Sequence, residues 1–329
     1  MITVEHLTKV YGQAVAVDNL SFTIEDGHIY GFLGPNGAGK STTLNIMTGC
    51  LAATEGTVKI GEHDIFEESK EAKKLIGYLP EIPPLYVDQT PREYLTFVAE
   101  AKRVDKKTLK DEIQRVSDET NISHVIDKPI KYLSKGYRQR VGIAQALIGS
   151  PEIIILDEPT VGLDPVQIME IRDLILELGK KHTVILSSHI LSEVQAICDK
   201  VLIIYKGKLV AFDSPENLGK SIASGNIIEI GADTDIEGVK ELLKDISEVT
   251  GIEEEESSEN MTTAKLSLDN SDIHETSRKI FKAFANADIS LYKLYPVKTT
   301  LEDIFVELTK DDTNIVKMEV TESDSSITA

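Results

Sequence analysis

The sequence predicts an α/β domain built on a mixed sheet, followed by a smaller α+β domain. Three observations carry that expectation. The run Gly34-Pro35-Asn36-Gly37-Ala38-Gly39-Lys40-Ser41-Thr42 lies between an apolar strand pattern and a helical one. From Ile153 to Ile204, apolar strands alternate with helical stretches, the order that gives a parallel sheet covered on both faces. Beyond residue 225 the order becomes strand-helix-strand-strand-helix-strand.

Taken in order, Ile2–Leu7 and Ala14–Ile24 alternate as strands with a turn at Tyr11-Gly12, and Thr57–Ile60 adds a third. They predict an antiparallel patch. His28–Leu33 is an apolar strand entering the glycine-rich run, and Thr42–Thr48 is the helix leaving it. Leu75–Leu79 is a strand ended by Pro80, with Pro83-Pro84 forcing an extended loop. From Thr90-Pro91 to Ser150 the pattern is helical, giving a helical subdomain over about 86–150 within a domain at 1–215. Strands follow at Ile153–Leu156, Thr183–Leu186 and Val201–Ile204, separated by helices at Val166–Gly179 and Leu191–Cys198. Residues 216–225 read as a linker. Strands at 226–230, 249–255, 263–268 and 289–295, with helices at 236–245 and 272–287, place a ferredoxin-like accessory domain at 226–310. A Thr/Glu capping signal starts a further helix over 299–308, and 311–329 is expected to be a disordered tail.

The chain has 329 residues, enough for roughly two domains. Its 41% hydrophobic content allows sizeable cores. Cys50 and Cys198 show no metal or redox spacing and read as reduced cysteines of a cytosolic protein. The first residues lack a signal-peptide pattern, and no stretch approaches the roughly 20 apolar residues of a membrane span. Work at a membrane would need another chain. The net charge is −20. Residues 1–220 hold 25 basic and 31 acidic residues, and residues 221–329 hold 10 and 24. That leaves no cationic field over the C-terminal part for nucleic acid, so none is expected as a partner.

The run at Gly34–Thr42 fits the phosphate-loop pattern GxxxxGK[ST]. Its glycines let the backbone turn N–H groups inward, and the following helix adds its positive end. Lys40 supplies a point charge for β- and γ-phosphates, and the Ser41 hydroxyl can ligate Mg²⁺. Ile153–Leu156 delivers Asp157 and Glu158 to a strand's C-terminal end, where ligands bind in open α/β sheets. Asp157 would hold Mg²⁺ beside Ser41, and Glu158 would polarise the attacking water. Read alone, that pair is also an acidic turn capping a strand. Leu133-Ser134-Lys135-Gly136-Tyr137 precedes a helical run and, alone, is a Ser-capped helix start.

Placed about 20 residues before Asp157-Glu158, that segment resembles the LSGGQ-like signature of the ATP-binding-cassette (ABC) family. The resemblance covers residues 1 to about 215. It implies a phosphate-loop ATPase domain that binds ATP and Mg²⁺ and pairs head to tail, as a homodimer or with a close paralogue. Ser134 and Gly136 would then contact the γ-phosphate of ATP held by the opposite protomer. Tyr11 would stack on adenine, where the alternative is a loop tyrosine. Asp164, in Gly162-Leu163-Asp164-Pro165, would link the two nucleotide sites, and the same residues also read as a proline-containing helix start. His189, after Ser187-Ser188, resembles the switch histidine on the γ-phosphate. Two departures stand out: Lys and Tyr replace a Gly and the Gln of the signature, and Glu81 occupies the usual glutamine position beside Mg²⁺. Tyr295–Phe305 resembles the C-terminal element of ATPase subunits of ABC-2-type exporters, in the drug, sodium and gliding-motility group. The implied function is the ATP-hydrolysing subunit of such an exporter, peripheral on the inner face of the membrane through a separate permease. Two other readings are a soluble ABC ATPase on nucleic acid or the ribosome, and a non-hydrolysing regulatory module.

Overall fold

The computed structural model describes residues 1–222, 227–258, 261–269, 272–297, 301, 304 and 305. Two compact units divide between Pro215 and Glu216. The first opens with β1 (Ile2–Tyr11), β2 (Ala14–Ile24), β3 (Ile29–Leu33), α1 (Lys40–Met47), β4 (Glu55–Ile60), β5 (His63–Asp64), α2 (Ser69–Lys74) and β6 (Ile76–Leu79). Helices α3 (Pro91–Ala101), α4 (Leu109–Glu119) and α5 (Lys135–Leu147) follow, with 3₁₀ turns at Ser123–Val125 and Ile130–Tyr132. The unit finishes with β7 (Ile153–Leu156), α6 (Pro165–Gly179), β8 (Thr183–Ser188), α7 (Leu191–Ile197), β9 (Lys200–Tyr205) and β10 (Lys208–Asp213).

Two sheets form this unit. One runs β2-β1-β4-β5 and is antiparallel throughout. The other runs β10-β9-β3-β8-β7-β6. Its five strands from β9 to β6 are parallel, and β10 pairs antiparallel on the outside. The expected alternation of strands and helices therefore gives the expected parallel sheet. Strands β3, β7 and β8 are buried along their whole length, as strands covered on both faces must be. Side chains from both sheets and α1 share one core, including Ile2, Phe22, Phe32, Leu44, Ile155 and Leu202. Phe22 and Phe32 meet edge to face at 5.8 Å.

Local chemistry accounts for the helix starts. Thr90 and Glu93 form a reciprocal capping box ahead of α3, with Pro91 in its first turn. Ser134 caps α5, and Asp164 caps α6 with Pro165 following. Strand β10 has no counterpart in the sequence reading. It returns from β9 through Lys206 and Gly207, both at positive φ, the geometry of a type I′ two-residue loop. Lys-Gly is a weaker signal for that turn than Asn-Gly.

Residues Pro215–Ile222 form α8, which corrects the first part of the linker expected at 216–225; residues 223–225 lie outside the described residues. The proline that reads as a breaker fits the first turn of a helix, where its missing N–H costs nothing. The second unit continues with β11 (Ile227–Ala232), α9 (Ile236–Leu243), β12 (Val249–Ser258), β13 (Met261–Leu268), α10 (Ile273–Asn286) and β14 (Leu291–Val297). Its sheet order is β12-β13-β11-β14, antiparallel at every pairing. With one helix between the first two strands and one between the last two, this is the ferredoxin-like order. Its core gathers Ile228, Ile230, Val239, Leu266, Ile280 and Phe284. Strand β12 is an outer strand of this sheet. The expected tail at 311–329 and most of the expected helix at 299–308 lie outside the described residues.

Candidate active site

Sheet order explains why chemistry gathers in one place. Neighbours β3, β8, β7 and β6 are parallel, so their C-terminal ends share one edge. The phosphate loop leaves β3 there, His189 follows β8, Asp157 and Glu158 follow β7, and Glu81 lies two residues past β6. A cleft of about 510 Å³ opens at this edge, lined by Lys40, Ser41, Thr42, Glu81, Glu158 and His189 among others.

The loop's shape rests on backbone constraints. Gly39 has φ +105, and a Cβ there would lie 2.5 Å from the Ala16 carbonyl oxygen. A Cβ on Gly34 would lie 2.2 Å from the Ile204 carbonyl oxygen. Neither position accepts a side chain. The Gly207 N–H donates to the Ala38 carbonyl at 3.0 Å, tying the loop to the β9–β10 turn. Pro35, Asn36 and Gly37 line the mouth of the cleft. Helix α1 starts at Gly39 with no side-chain cap and no acidic residue in its first turn. Its leading N–H groups are therefore available to an anion.

Lys40 is 6% exposed, and its ammonium donates to the Gly34 carbonyl at 2.8 Å. Its Nζ stands 3.8 Å from Glu158 Oε1. Burial holds the Lys40 ammonium below the ordinary lysine value, opposed by the carboxylates of Glu158 and Asp157. The other Glu158 oxygen, Oε2, lies 2.8 Å from His189 Nδ1. Ser187, given no role in the sequence analysis, joins the two acidic residues. Its hydroxyl donates to Asp157 Oδ1 at 2.6 Å and accepts from the Glu158 N–H at 2.8 Å.

A divalent cation is implied by this family of loops. The Ser41 hydroxyl lies 3.3 Å from Asp157 Oδ1, and the Glu81 carboxylate faces the same cleft. These are hard oxygen donors of the kind Mg²⁺ takes, so the residues fit the ion. Among the described residues no group of three or more His, Cys, Asp or Glu is arranged to hold a metal unaided. That suits an ion completed by phosphate oxygens.

The remaining expected residues lie elsewhere. Ser134, Gly136 and Asp164 line a second pocket of about 600 Å³ with Tyr137, Arg140 and Gln167. Here the helix-start reading of both segments holds. Ser134 accepts from the Tyr137 N–H at 3.3 Å, and Asp164 accepts from the Gln167 N–H at 2.9 Å. Lys135 reaches across to the loop of Asp164: a Cβ on Gly162 would lie 2.3 Å from its Nζ. Tyr137, the residue in place of the signature glutamine, has its hydroxyl 3.0 Å from His124 Nε2. Tyr11 is 50% exposed at the end of β1, with Lys9 Nζ 5.2 Å from its ring centre, and does not line the cleft. No helix of the described residues is long and apolar enough to cross a membrane.

Comparison with known proteins agrees with this geometry. Residues 17–161 match the family model described as ABC transporter. The chain is 42% identical over 212 residues to the bacitracin transport ATP-binding protein BcrA of Bacillus licheniformis, covering 64% of this chain and 68% of that one. It is 29% identical over 313 residues to the linearmycin resistance ATP-binding protein LnrL of Bacillus subtilis, covering 94% and 98%. Among solved structures, the dimeric ATP-binding cassette MJ0796 bound to ADP and Pi aligns with a TM-score of 0.59 at 25% identity, covering 65% of this chain and 98% of that one. These likenesses favour a transporter subunit over a soluble ATPase acting on nucleic acid. With its phosphate loop, strand-borne carboxylates and His189 on one sheet edge, the chain belongs to the ATP-binding proteins of ABC transporters and is an ATP-hydrolysing subunit.

Proposed function

We propose that the cleft binds ATP with Mg²⁺ and hydrolyses it between two protomers to drive export through a separate permease. The observation that carries this reading is the placement of Glu158, with one oxygen 2.8 Å from His189 and the other 3.8 Å from Lys40. In this reading Lys40 and the loop N–H groups of Gly34–Thr42 cradle the β- and γ-phosphates. Glu158 takes a proton from water as the water oxygen bonds to the γ-phosphorus. The bond from that phosphorus to the bridging oxygen of ADP breaks, leaving ADP and phosphate. His189 orients Glu158 and meets the γ-phosphate. Ser41, Asp157 and Glu81 would hold Mg²⁺, which would supply charge neutralisation on the phosphates when bound.

The second pocket supports a head-to-tail pair. Ser134, Gly136 and Asp164 lie apart from the cleft on the same unit, so a two-fold axis would bring them to the partner's nucleotide. Tyr11 would meet the adenine. An identical chain or a close paralogue fits the same pairing. A permease contact is supported by exposed apolar residues after β6: Ile82 is 83% exposed, and the half-exposed rings of Tyr86 and Phe97 meet at a tilt with centres 5.4 Å apart. That partner would hold the protein at the inner face of the membrane. The relatives named for bacitracin transport and linearmycin resistance support export as the direction. Residues 226–310 form an accessory domain in this reading.

The deciding experiment is Glu158→Gln. It keeps ATP binding, lowers turnover by about 10²–10⁴-fold and accumulates an ATP-bound dimer, read by titration, phosphate release and size-exclusion chromatography. Wild-type turnover in that variant would remove Glu158 as the base.

A further inference from the structure

The turn that carries Glu158 is strained. Glu158 has φ +48, a left-handed backbone that is unfavourable for a residue with a side chain. Such a conformation persists only where its surroundings fix it. One restraint is the Glu158 N–H donating to Ser187 Oγ. A second lies outside the cleft. Two residues past Glu158, the Thr160 hydroxyl donates to Glu193 Oε2 at 2.6 Å. Both are buried, Thr160 6% exposed and Glu193 3%.

Glu193 stands in the first turn of α7, four residues past His189. The loop after β7 and the loop after β8 are thus joined twice. The front joint is Glu158 to His189 in the cleft, and the rear joint is Thr160 to Glu193 behind it. Neither Thr160 nor Glu193 lines the cleft. Burying a carboxylate is unfavourable unless it is well partnered, and 2.6 Å is the length of a charge-assisted O–H···O⁻ bond. An apolar pair would fill this space without that penalty, so the pair's directionality is what sets it apart.

We propose that Glu193 is a positioning residue for hydrolysis. Through Thr160 it clamps the strained turn, so that the Glu158 carboxylate keeps its place beside His189. The proposal rests on Glu158 being the base. Glu193 is buried and does not line the cleft, so its loss is expected in kcat and not in KM.

The test compares full-length Thr160→Val, Glu193→Ala, the double variant, Glu193→Gln and Glu158→Gln. Steady-state ATP hydrolysis is expressed per nucleotide site counted by titration with a fluorescent ATP analogue. Thr160→Val is close to isosteric and keeps the test open where Glu193→Ala folds poorly. Thr160→Val and Glu193→Ala should each lower kcat about tenfold or more, as a small misplacement of a reacting group does. KM should stay within about twofold, the pattern of a group acting in the transition state. The double variant should be no slower than the slower single. Glu193→Gln should regain most of the rate, because its amide oxygen still accepts from Thr160. Unchanged kcat in Thr160→Val, a loss confined to KM, or fully multiplicative effects would each overturn the clamp. If Glu158→Gln turns over normally, the base reading fails and takes the clamp with it. If Glu158→Gln is inactive while Thr160→Val is fully active, the clamp alone fails.

Discussion

The two pockets of the first unit are built on opposite plans. The cleft at Lys40 forms where four parallel strands end, and helix α1 enters it with no side-chain cap. The pocket at Ser134 forms where α5 and α6 begin, and each of those helices is closed by its own side chain. An uncapped helix start surrounded by charge is unfinished without an anion. A capped one is already satisfied and keeps its shape unaided. In the proposed reading, the contrast separates a place that seizes a nucleotide from a place that presents a fixed surface to one. In the proposed pairing, one half of the site binds and the other half completes.

Variants can break or sharpen that contrast, and the largest effect is expected in the cleft. Lys40→Ala removes the buried cation from the cradle and should weaken ATP binding by at least about tenfold to a hundredfold, the worth of a charge-assisted bond. Equilibrium titration reads it, and wild-type affinity would argue against the cradle. Next is Ser134→Asp. Aspartate caps a helix as well as serine, so melting temperature should hold. A carboxylate facing the partner's γ-phosphate costs several kcal/mol, so turnover should fall by about tenfold or more while binding to the single chain persists. Undiminished turnover would remove the second pocket from the nucleotide site.

Smaller effects divide structure from function at Asp164. Asp164→Ala loses a cap worth about 0.5–2 kcal/mol. Each kcal/mol lowers the melting temperature of a unit this size by roughly 2–4 °C. Asp164→Asn keeps the cap and the stability. If Asn slows turnover as much as Ala, the carboxylate does more than cap. The smallest effect belongs to Tyr11→Ala, where loss of a half-exposed ring should weaken ATP binding by about 0.5–1.5 kcal/mol. Binding of inorganic triphosphate should not change. Equal losses for ATP and triphosphate would mean that the ring does not meet the base.

Legibility followed the range of the interactions. Strand β3, the loop and α1 are local, and the run Gly34–Thr42 declares them by residue type alone. Asp157-Glu158 and His189 were readable because each ends an apolar strand. Ser187, Thr160 and Glu193 were not, because their bonds join residues about 30 apart through neighbouring strands. Only the sheet order β3-β8-β7 makes those strands neighbours, and one-dimensional pattern does not state it. Strand β10 escaped because a Lys-Gly turn looks like any polar loop. Helix α8 escaped because Pro215 suits either a break or a beginning.

The outer strand β12 has a consequence for how this protein behaves in a crowded solution. It carries the consecutive, exposed glutamates Glu253, Glu254 and Glu255. An outer strand offers its backbone to any passing strand, and paired strands stand about 4.8 Å apart. Two copies docking edge to edge there would bring rows of carboxylates within that spacing, so like charge turns away the commonest wrong partner, another molecule of the same chain. Resistance to edge-to-edge aggregation is thereby written into one strand.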